Sequence, residues 1–224
     1  MLNSLLLKLR QVFFPNSRQF WEGRYALGGH SGGGSYGLLA EFKAEILNGF
    51  VARHAIQSVV EFGCGDGAQL SLADYPKYTG LDVASTAVSL CSDRFANDPS
   101  KNFLLYDADS FDPASLRADL ALSLDVIYHL VEDAVYEGYL DHLFATAERF
   151  VIVYSSNHDE RGAWFERHIR HRPVTRDILA RFPDWRLLEE IPNRYPWNGN
   201  SAEGSFANFY IFQKSGEASV TLDP

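Results

Sequence analysis

Cysteine is scarce in this 224-residue sequence, and positive charge is outnumbered by negative. Two cysteines, Cys64 and Cys91, are too few for a disulfide scaffold or a four-cysteine zinc site, and a chain of this length buries enough surface to fold without such staples. They fit a reducing compartment, and the expected address is the cytoplasm. Twenty Lys and Arg stand against 29 Asp and Glu, a formal net charge of −9, so the chain is not built to grip phosphate backbones and no nucleic-acid partner is expected. No apolar run approaches the roughly 20 residues of a membrane span, so no transmembrane segment is expected. The opening MLNSLLLKLRQVFF is interrupted by Lys8 and Arg10 and is not followed by a small-residue cleavage site, which argues against secretion. Its Leu2, Leu5, Leu6, Leu9 and Phe13 recur at helical spacing and predict a short amphipathic helix. That helix docks on this domain, on a second subunit in a homodimer, or on a membrane surface.

What is present is the composition of a globular protein, 46% hydrophobic and 14% aromatic. One domain is expected, in three parts: an arm and glycine-rich loop (1–34), a core (35–155) and a segment of insertions with a terminal hairpin (156–224). The stretch 28–37, GGHSGGGSYG, reads as a loop. A helix over 38–51 follows, with Leu39, Phe42, Ile46, Leu47 and Phe50 on one face. Apolar, β-rich runs at 58–62, 78–81, 103–106, 120–124 and 150–154 then alternate with helix-like segments at 68–72, 85–95, 113–116 and 131–147. Such alternation calls for a parallel sheet covered on both faces. After a helix at 175–181, two runs at 185–191 and 206–213 lack a full helix between them and are expected to pair antiparallel at the sheet edge. The loop between them, 192–205, is long and irregular.

The strongest local signal is Glu61-Phe62-Gly63-Cys64-Gly65-Asp66-Gly67, a strand running into a turn with glycine at every second position. Glycine permits a tight turn and lets a ligand approach the main chain at the carboxyl end of a parallel strand. Fifteen residues beyond Gly67 a second strand ends in Asp82, whose carboxylate either accepts from the two hydroxyls of a ribose or caps the helix that follows.

At these residues the sequence resembles the class I S-adenosylmethionine-dependent methyltransferases, bacterial small-molecule type. Their first motif, Glu-x-Gly-x-Gly-x-Gly, differs from the Gly-x-Gly-x-x-Gly fingerprint of nicotinamide enzymes, which is the reading it displaces. The resemblance continues through Tyr106-Asp107-Ala108-Asp109 and through the run from Ala118 to His129, and covers roughly residues 55 to 155. It implies a doubly wound, Rossmann-like α/β fold with a seven-stranded, mostly parallel sheet whose last strand is antiparallel. It implies S-adenosylmethionine as cofactor, with Gly63, Cys64 and Gly65 against the methionine part, Glu61 orienting the amino group and Asp82 on the ribose. Val83 flanks the adenine, Asp107 and the Ala108 backbone meet its edge, and Leu124 closes the cofactor side of the fourth strand. By position alone, Tyr36 belongs to a loop that closes over the same end.

The reaction this implies is methyl transfer to an oxygen or nitrogen of a small molecule, a sugar or glycan precursor being one acceptor that fits. His129 is the base candidate, against a purely packing role, and Tyr128 beside it shapes the pocket. Arg170 and His171, in an Arg- and His-rich patch, and Tyr195 and Trp197, in the long loop, are candidate acceptor contacts. His168 and His171 are spaced to share a helical face, but no carboxylate or thiol cluster completes a ligand set, so no metal is expected. A non-catalytic protein that binds S-adenosylmethionine as a sensor or partner is the alternative.

Overall fold

The computed structural model describes residues 16–161 and 167–216; the amphipathic arm expected at the N-terminus lies outside them. The described chain opens with α1 (Ser17–Ala26), started by the Asn16 side chain, which accepts from the Gln19 amide. A 3₁₀ turn (Gly33–Ser35) leads to α2 (Gly37–Arg53). Strands and helices then alternate: β1 (Val59–Phe62), β2 (Tyr78–Asp82), α3 (Ser85–Arg94), β3 (Lys101–Leu105), β4 (Ala118–Leu124), α4 (Asp133–Thr146) and β5 (Ala147–Ser155). A short ribbon, β6 (Glu160–Arg161) with β7 (Arg170–His171), precedes α5 (Val174–Arg181), β8 (Trp185–Ile191) and β9 (Asn208–Lys214).

The seven-stranded sheet has the order β3-β2-β1-β4-β5-β9-β8. β1 to β5 pair parallel, β9 runs antiparallel to β5, and β8 pairs antiparallel with β9. This is the Rossmann-like arrangement expected from the alternation. The strand order reverses between β1 and β4, so the loops after them diverge and open a crevice at their carboxyl ends.

Alternate residues divide the core between the two faces. Val151, Val153, Tyr210 and Phe212 pack against α4 and α5, whereas Phe150, Ile152, Phe209 and Ile211 pack against Leu47 and Phe50 of α2 and Cys91 of α3. Strands buried on both faces read as continuous apolar runs, which is why β1, β4 and β5 stand out in the sequence.

Some elements differ from expectation. The segments 68–72 and 113–116 form only 3₁₀ turns, Leu70–Leu72 and Pro113–Ser115. In the first the Ser71 hydroxyl donates back to the Gly67 carbonyl, and the second is a single turn capped by Asp112; both are too short to propagate as α-helix. The third strand starts two residues earlier than its apolar residues indicate, because Lys101 and Asn102 already pair with Tyr78 and Thr79. His168 and His171 share no helical face: the first lies in a turn, and the second belongs to β7, where its backbone pairs with Glu160. Among the described residues no helix is long and apolar enough to cross a membrane.

Phe209 is fully buried where β9 joins β5, packed on Phe42 and Tyr154. Phe209→Ala is expected to destabilise the fold by about 3–5 kcal/mol, read as a lower urea midpoint with an unchanged slope.

Candidate cofactor site

The loops at the carboxyl ends of β1 to β4 surround a cavity of about 380 Å³. Its floor is the glycine turn. Gly63 and Gly65 have φ of 89° and 60°, in the left-handed region that L side chains avoid. The amides of Gly63 and Cys64 both donate to the Leu81 carbonyl, at 2.7 and 3.0 Å. Asp82 then fixes the turn from the neighbouring strand: its carboxylate accepts from the Gly65 amide through Oδ2 and from the Ala84 amide through Oδ1, both at 2.9 Å. Burial pushes the Asp82 carboxyl up to about 6, and the hydrogen bonds from Ala84 and Gly65 pull in the other direction. Asp82 therefore steadies the backbone after its own strand, and it still borders the cavity.

α1 and the loop behind it cover this floor. Ser17 Oγ lies 2.8 Å from the His129 carbonyl and 3.0 Å from Glu132 Oε2, and Arg18 stands 3.8 Å from Asp107. Glu22 accepts from Ser85 and Thr86 at the start of α3, and the Thr86 hydroxyl holds its carboxyl below the ordinary value. Asp66 anchors the glycine-rich loop, accepting from the Tyr36 hydroxyl at 2.6 Å and the Ser31 amide at 3.0 Å. Burial raises the Asp66 carboxyl, but the bonds from Tyr36, Ser31 and Ala68 outweigh it and the net shift is downward. Tyr36 is correspondingly pushed up to about 12, by burial first and then by Asp66.

The wall nearest α2 is charged and buried. Lys43 is 1% exposed, and its Nζ donates to Asp125 Oδ2 at 2.7 Å and lies 5.2 Å from the centre of the Tyr154 ring. Asp125 follows β4 with φ of 60°, and its Oδ1 accepts from the Tyr128 hydroxyl at 2.8 Å. Gly34 passes so close that a Cβ there would sit 2.8 Å from Asp125 Oδ2. Glu61 is buried and accepts from the Tyr78 hydroxyl at 2.7 Å; burial pushes its carboxyl up to about 7 against the Tyr78 bond and the Lys43 charge. Gln69 donates from Nε2 to the Ala40 carbonyl, which leaves Oε1 buried without a partner.

Glu61, Gly63, Cys64, Gly65, Asp82, Val83, Asp107, Ala108, Leu124 and His129 all border this one cavity. His129 follows β4 in a 3₁₀ turn, Ile127–His129. Its Nδ1 faces the His168 carbonyl at 3.1 Å, so that nitrogen carries the proton and Nε2 keeps the lone pair. Burial, the neighbouring His168 and other cationic groups lower its pKa to about 3, against the His168 carbonyl bond, so the ring is neutral at pH 7.

Tyr36 meets the site through Asp66, and Tyr128 through Asp125. Arg170, His171, Tyr195 and Trp197 do not border the cavity. Arg170 pairs with Asp133 at 2.6 Å, His171 Nδ1 lies 2.7 Å from Ser156 Oγ, Tyr195 packs edge-on against Phe42, and Trp197 stands half-exposed beside Phe206.

Sequence reasoning missed Lys43, Gln69, Asp125 and the covering residues Ser17 and Glu22, whereas the aromatic pair Phe20-Trp21 does mark a pocket wall, and Trp21 borders the cavity. One signal was available: Lys43 lies between Leu39 and Leu47 at i, i+4 spacing, a charge set in the apolar stripe of α2.

Residues 59–149 match the family model of the methyltransferase domain. The matched segment, less than half of the chain, is a methyltransferase domain. Solved structures extend the likeness in fold. The N-methyltransferase NodS from Bradyrhizobium japonicum, with S-adenosylhomocysteine, superposes with a TM-score of 0.60 at 17% identity, over 78% of this chain and 85% of that one. The methyltransferase domain of bacterial Hen1 gives 0.61 at 18% identity, over 78% and 98%. Magnesium protoporphyrin IX methyltransferase from Synechocystis, with S-adenosylmethionine, gives 0.57 at 15%, over 93% and 90%. No curated protein matches this chain in sequence.

The cavity residues fit S-adenosylmethionine. Asp82 and Glu61 place carboxylates in a wall that suits a cationic sulfonium compound, and Val83 and Ala108 offer small apolar surface.

Ionising Glu61 in the empty protein costs stability. Its folded pKa lies above the unfolded value, so its contribution is full below about pH 4.5 and is lost as the pH rises through about 7. Glu61→Gln removes that loss, on the order of 3 kcal/mol. The melting temperature of the ligand-free variant is expected to exceed wild type by more at pH 8 than at pH 5.

Proposed function

We propose that this methyltransferase transfers the methyl group of S-adenosylmethionine to an oxygen or nitrogen of a small molecule in the cytoplasm, a sugar or glycan precursor being the acceptor chemistry that fits best. The observation that carries the small-molecule reading is the charge of the cavity wall. Arg18 and Lys43 are its only Lys or Arg among the described residues, and each faces an aspartate, whereas Asp66, Asp82, Asp109 and Glu132 also border it. A polyanionic acceptor meets repulsion there, and a cationic methyl donor meets attraction.

When bound, S-adenosylmethionine supplies a methyl group already activated on a sulfonium. The protein is left to align the acceptor and exclude water. α1 covers part of the cavity, with the Tyr25 hydroxyl close to Gly65 and Trp21 edge-on to His129. His129 has only Nε2 free to take a hydrogen bond from the acceptor, and its low pKa makes it an orienting acceptor rather than a reservoir for the proton. Beyond Asp125, the rings of Tyr128 and Phe206 meet at 5.1 Å, His171 and Phe206 at 4.6 Å, and Trp197 and Phe206 at 5.9 Å. This aromatic step, with Tyr195 on the same loop, supports a ring-shaped acceptor.

Calorimetry with S-adenosylmethionine, S-adenosylhomocysteine and NAD tests the cofactor half; micromolar binding of the first two and none of NAD is expected. In a folded Asp82→Ala variant the homocysteine compound is expected to bind about 1.5–3 kcal/mol more weakly. A panel of small hydroxylated and amino acceptors, scored by S-adenosylhomocysteine release, tests the acceptor half. With any acceptor that turns over, the rate is expected to show no inflection from His129 between pH 5.5 and 8. An inflection near 6.5 that disappears in His129→Gln would instead make His129 a titrating base.

A further inference from the structure

The two cysteines of the chain, distant in sequence, meet beneath the cavity. Cys64 stands in the glycine turn after β1, Cys91 is buried on α3, and the Cys64 thiol is hydrogen-bonded to Cys91. Cys91 Sγ in turn donates to the Gly65 carbonyl at 3.2 Å, so sulfur ties the turn to the helix. The packing around the pair has no slack. A Cβ on Gly80 would lie 2.8 Å from the Cys64 Cβ, and one on Gly67 would lie 3.1 Å from Cys91 Sγ and 2.8 Å from the Phe95 ring. Access is one-sided: Cys64 is 8% exposed and borders the cavity, whereas Cys91 is 0% exposed. Methyl transfer gives neither thiol a part.

We propose that Cys64 and Cys91 are a redox pair, which hydrogen peroxide entering the cofactor-free cavity closes into a disulfide, and that this disulfide disables cofactor binding. The first half goes beyond the reading above, and the second half rests on it. The Cys64 sulfur attacks one peroxide oxygen, the O–O bond breaks, and the other oxygen leaves as water with the thiol proton, so Cys64 becomes a sulfenic acid. The Cys91 sulfur then displaces that hydroxyl: the S–S bond forms, the S–O bond breaks, and a second water leaves with the Cys91 proton. The two sulfurs give up two electrons in all, and the peroxide takes them. The bond to Cys91 and burial hold the Cys64 thiol well above its ordinary value, and Asp82 and Glu61 push the same way, so the resting pair reacts slowly. Contact with Cys91 supplies the resolving thiol at once, before the sulfenic acid is oxidised further. The disulfide then disturbs the floor of the cavity. A covalent bond draws the sulfurs closer than a hydrogen bond does, and Cys91 no longer has a proton for the Gly65 carbonyl. Because α3 is already packed against Gly67, the displacement is taken up by residues 63–65. A bound cofactor covers Cys64 and keeps peroxide out.

The test treats the full, reduced, cofactor-free chain with hydrogen peroxide and then alkylates the remaining thiols. Lys77 lies between the two cysteines, so trypsin places them on separate peptides. Mass spectrometry is expected to find those peptides cross-linked, and dithiothreitol to release them. By calorimetry the oxidised protein is expected to bind S-adenosylhomocysteine about tenfold more weakly or worse, with full recovery after dithiothreitol. Saturating S-adenosylhomocysteine during the peroxide treatment should prevent the cross-link. Cys91→Ala should stop at a sulfenic acid on Cys64, trapped by dimedone, and Cys64→Ser should leave Cys91 unoxidised. Wild type that keeps both thiols, or carries a sulfinic acid on Cys64 without a cross-link, overturns the redox pair. Cross-linking that proceeds equally fast under saturating ligand overturns the route through the cavity. A cross-link that leaves the affinity within about threefold of the reduced protein overturns the effect on the cofactor. Failure of the reduced protein to bind S-adenosylhomocysteine overturns the cofactor reading and the second half of the proposal with it, whereas the cross-link is judged by mass alone.

Discussion

The carboxylate of Asp82 is the constraint on which the upper end of this sheet depends. A buried carboxylate must be met by donors, and this one is met by backbone amides from two different loops, Gly65 after β1 and Ala84 after β2. The bond from Gly65 holds the turn open in a left-handed conformation, and the bond from Ala84 starts the approach to α3. The floor of the cavity is thus one hydrogen-bonded unit made of two strand ends. Asp66, one residue beyond Gly65, is placed by that unit and in turn fixes the glycine-rich loop through Ser31 and Tyr36.

The site is made by the interactions that close the fold above the strands. α1 reaches across to two loops and a helix, touching Glu132 through Ser17, Asp107 through Arg18 and α3 through Glu22. Exposed pairs such as Arg18 with Asp107 contribute little each. Their value is geometric, because they hold α1 where Tyr25 meets Gly65 and Trp21 meets His129. Lys43 with Asp125 is a different case. The pair is buried, so its desolvation is costly, and the arrangement makes sense as part of a charged binding wall rather than as a source of stability.

Most of the fold was legible because the signal was periodic. The strands buried on both faces are apolar runs, the glycines at 63, 65 and 67 mark the turn, and the spacing to Asp82 marks the second strand. What escaped was set by partners distant in sequence. The basic patch at 167–172 reads as a surface open to ligands, yet Arg170 and Arg172 converge on Asp133, and Arg172 also donates to the Leu130 carbonyl and lies over the Tyr136 ring. Composition cannot distinguish a free guanidinium from one that ties a loop to a helix. Gln69 carries no sequence signal, because its orphaned oxygen is defined by where Ala40 lies. The 3₁₀ turns read as helices in the sequence because four or five residues are too few for periodicity to decide between one turn and several.

The position of β9 has a consequence for the order in which the protein assembles. It is the last described strand, yet it lies between β5 and β8 and supplies Phe209 and Ile211 to one face of the sheet and Tyr210 and Phe212 to the other. During synthesis β1 to β5 can pair as they emerge, but β8 has no neighbour in the sheet until residues 208–214 leave the ribosome. Until then the hydrogen-bonding edge of β5 stays open beside Val151 and Val153, which makes the nascent chain most exposed to wrong pairing late in translation.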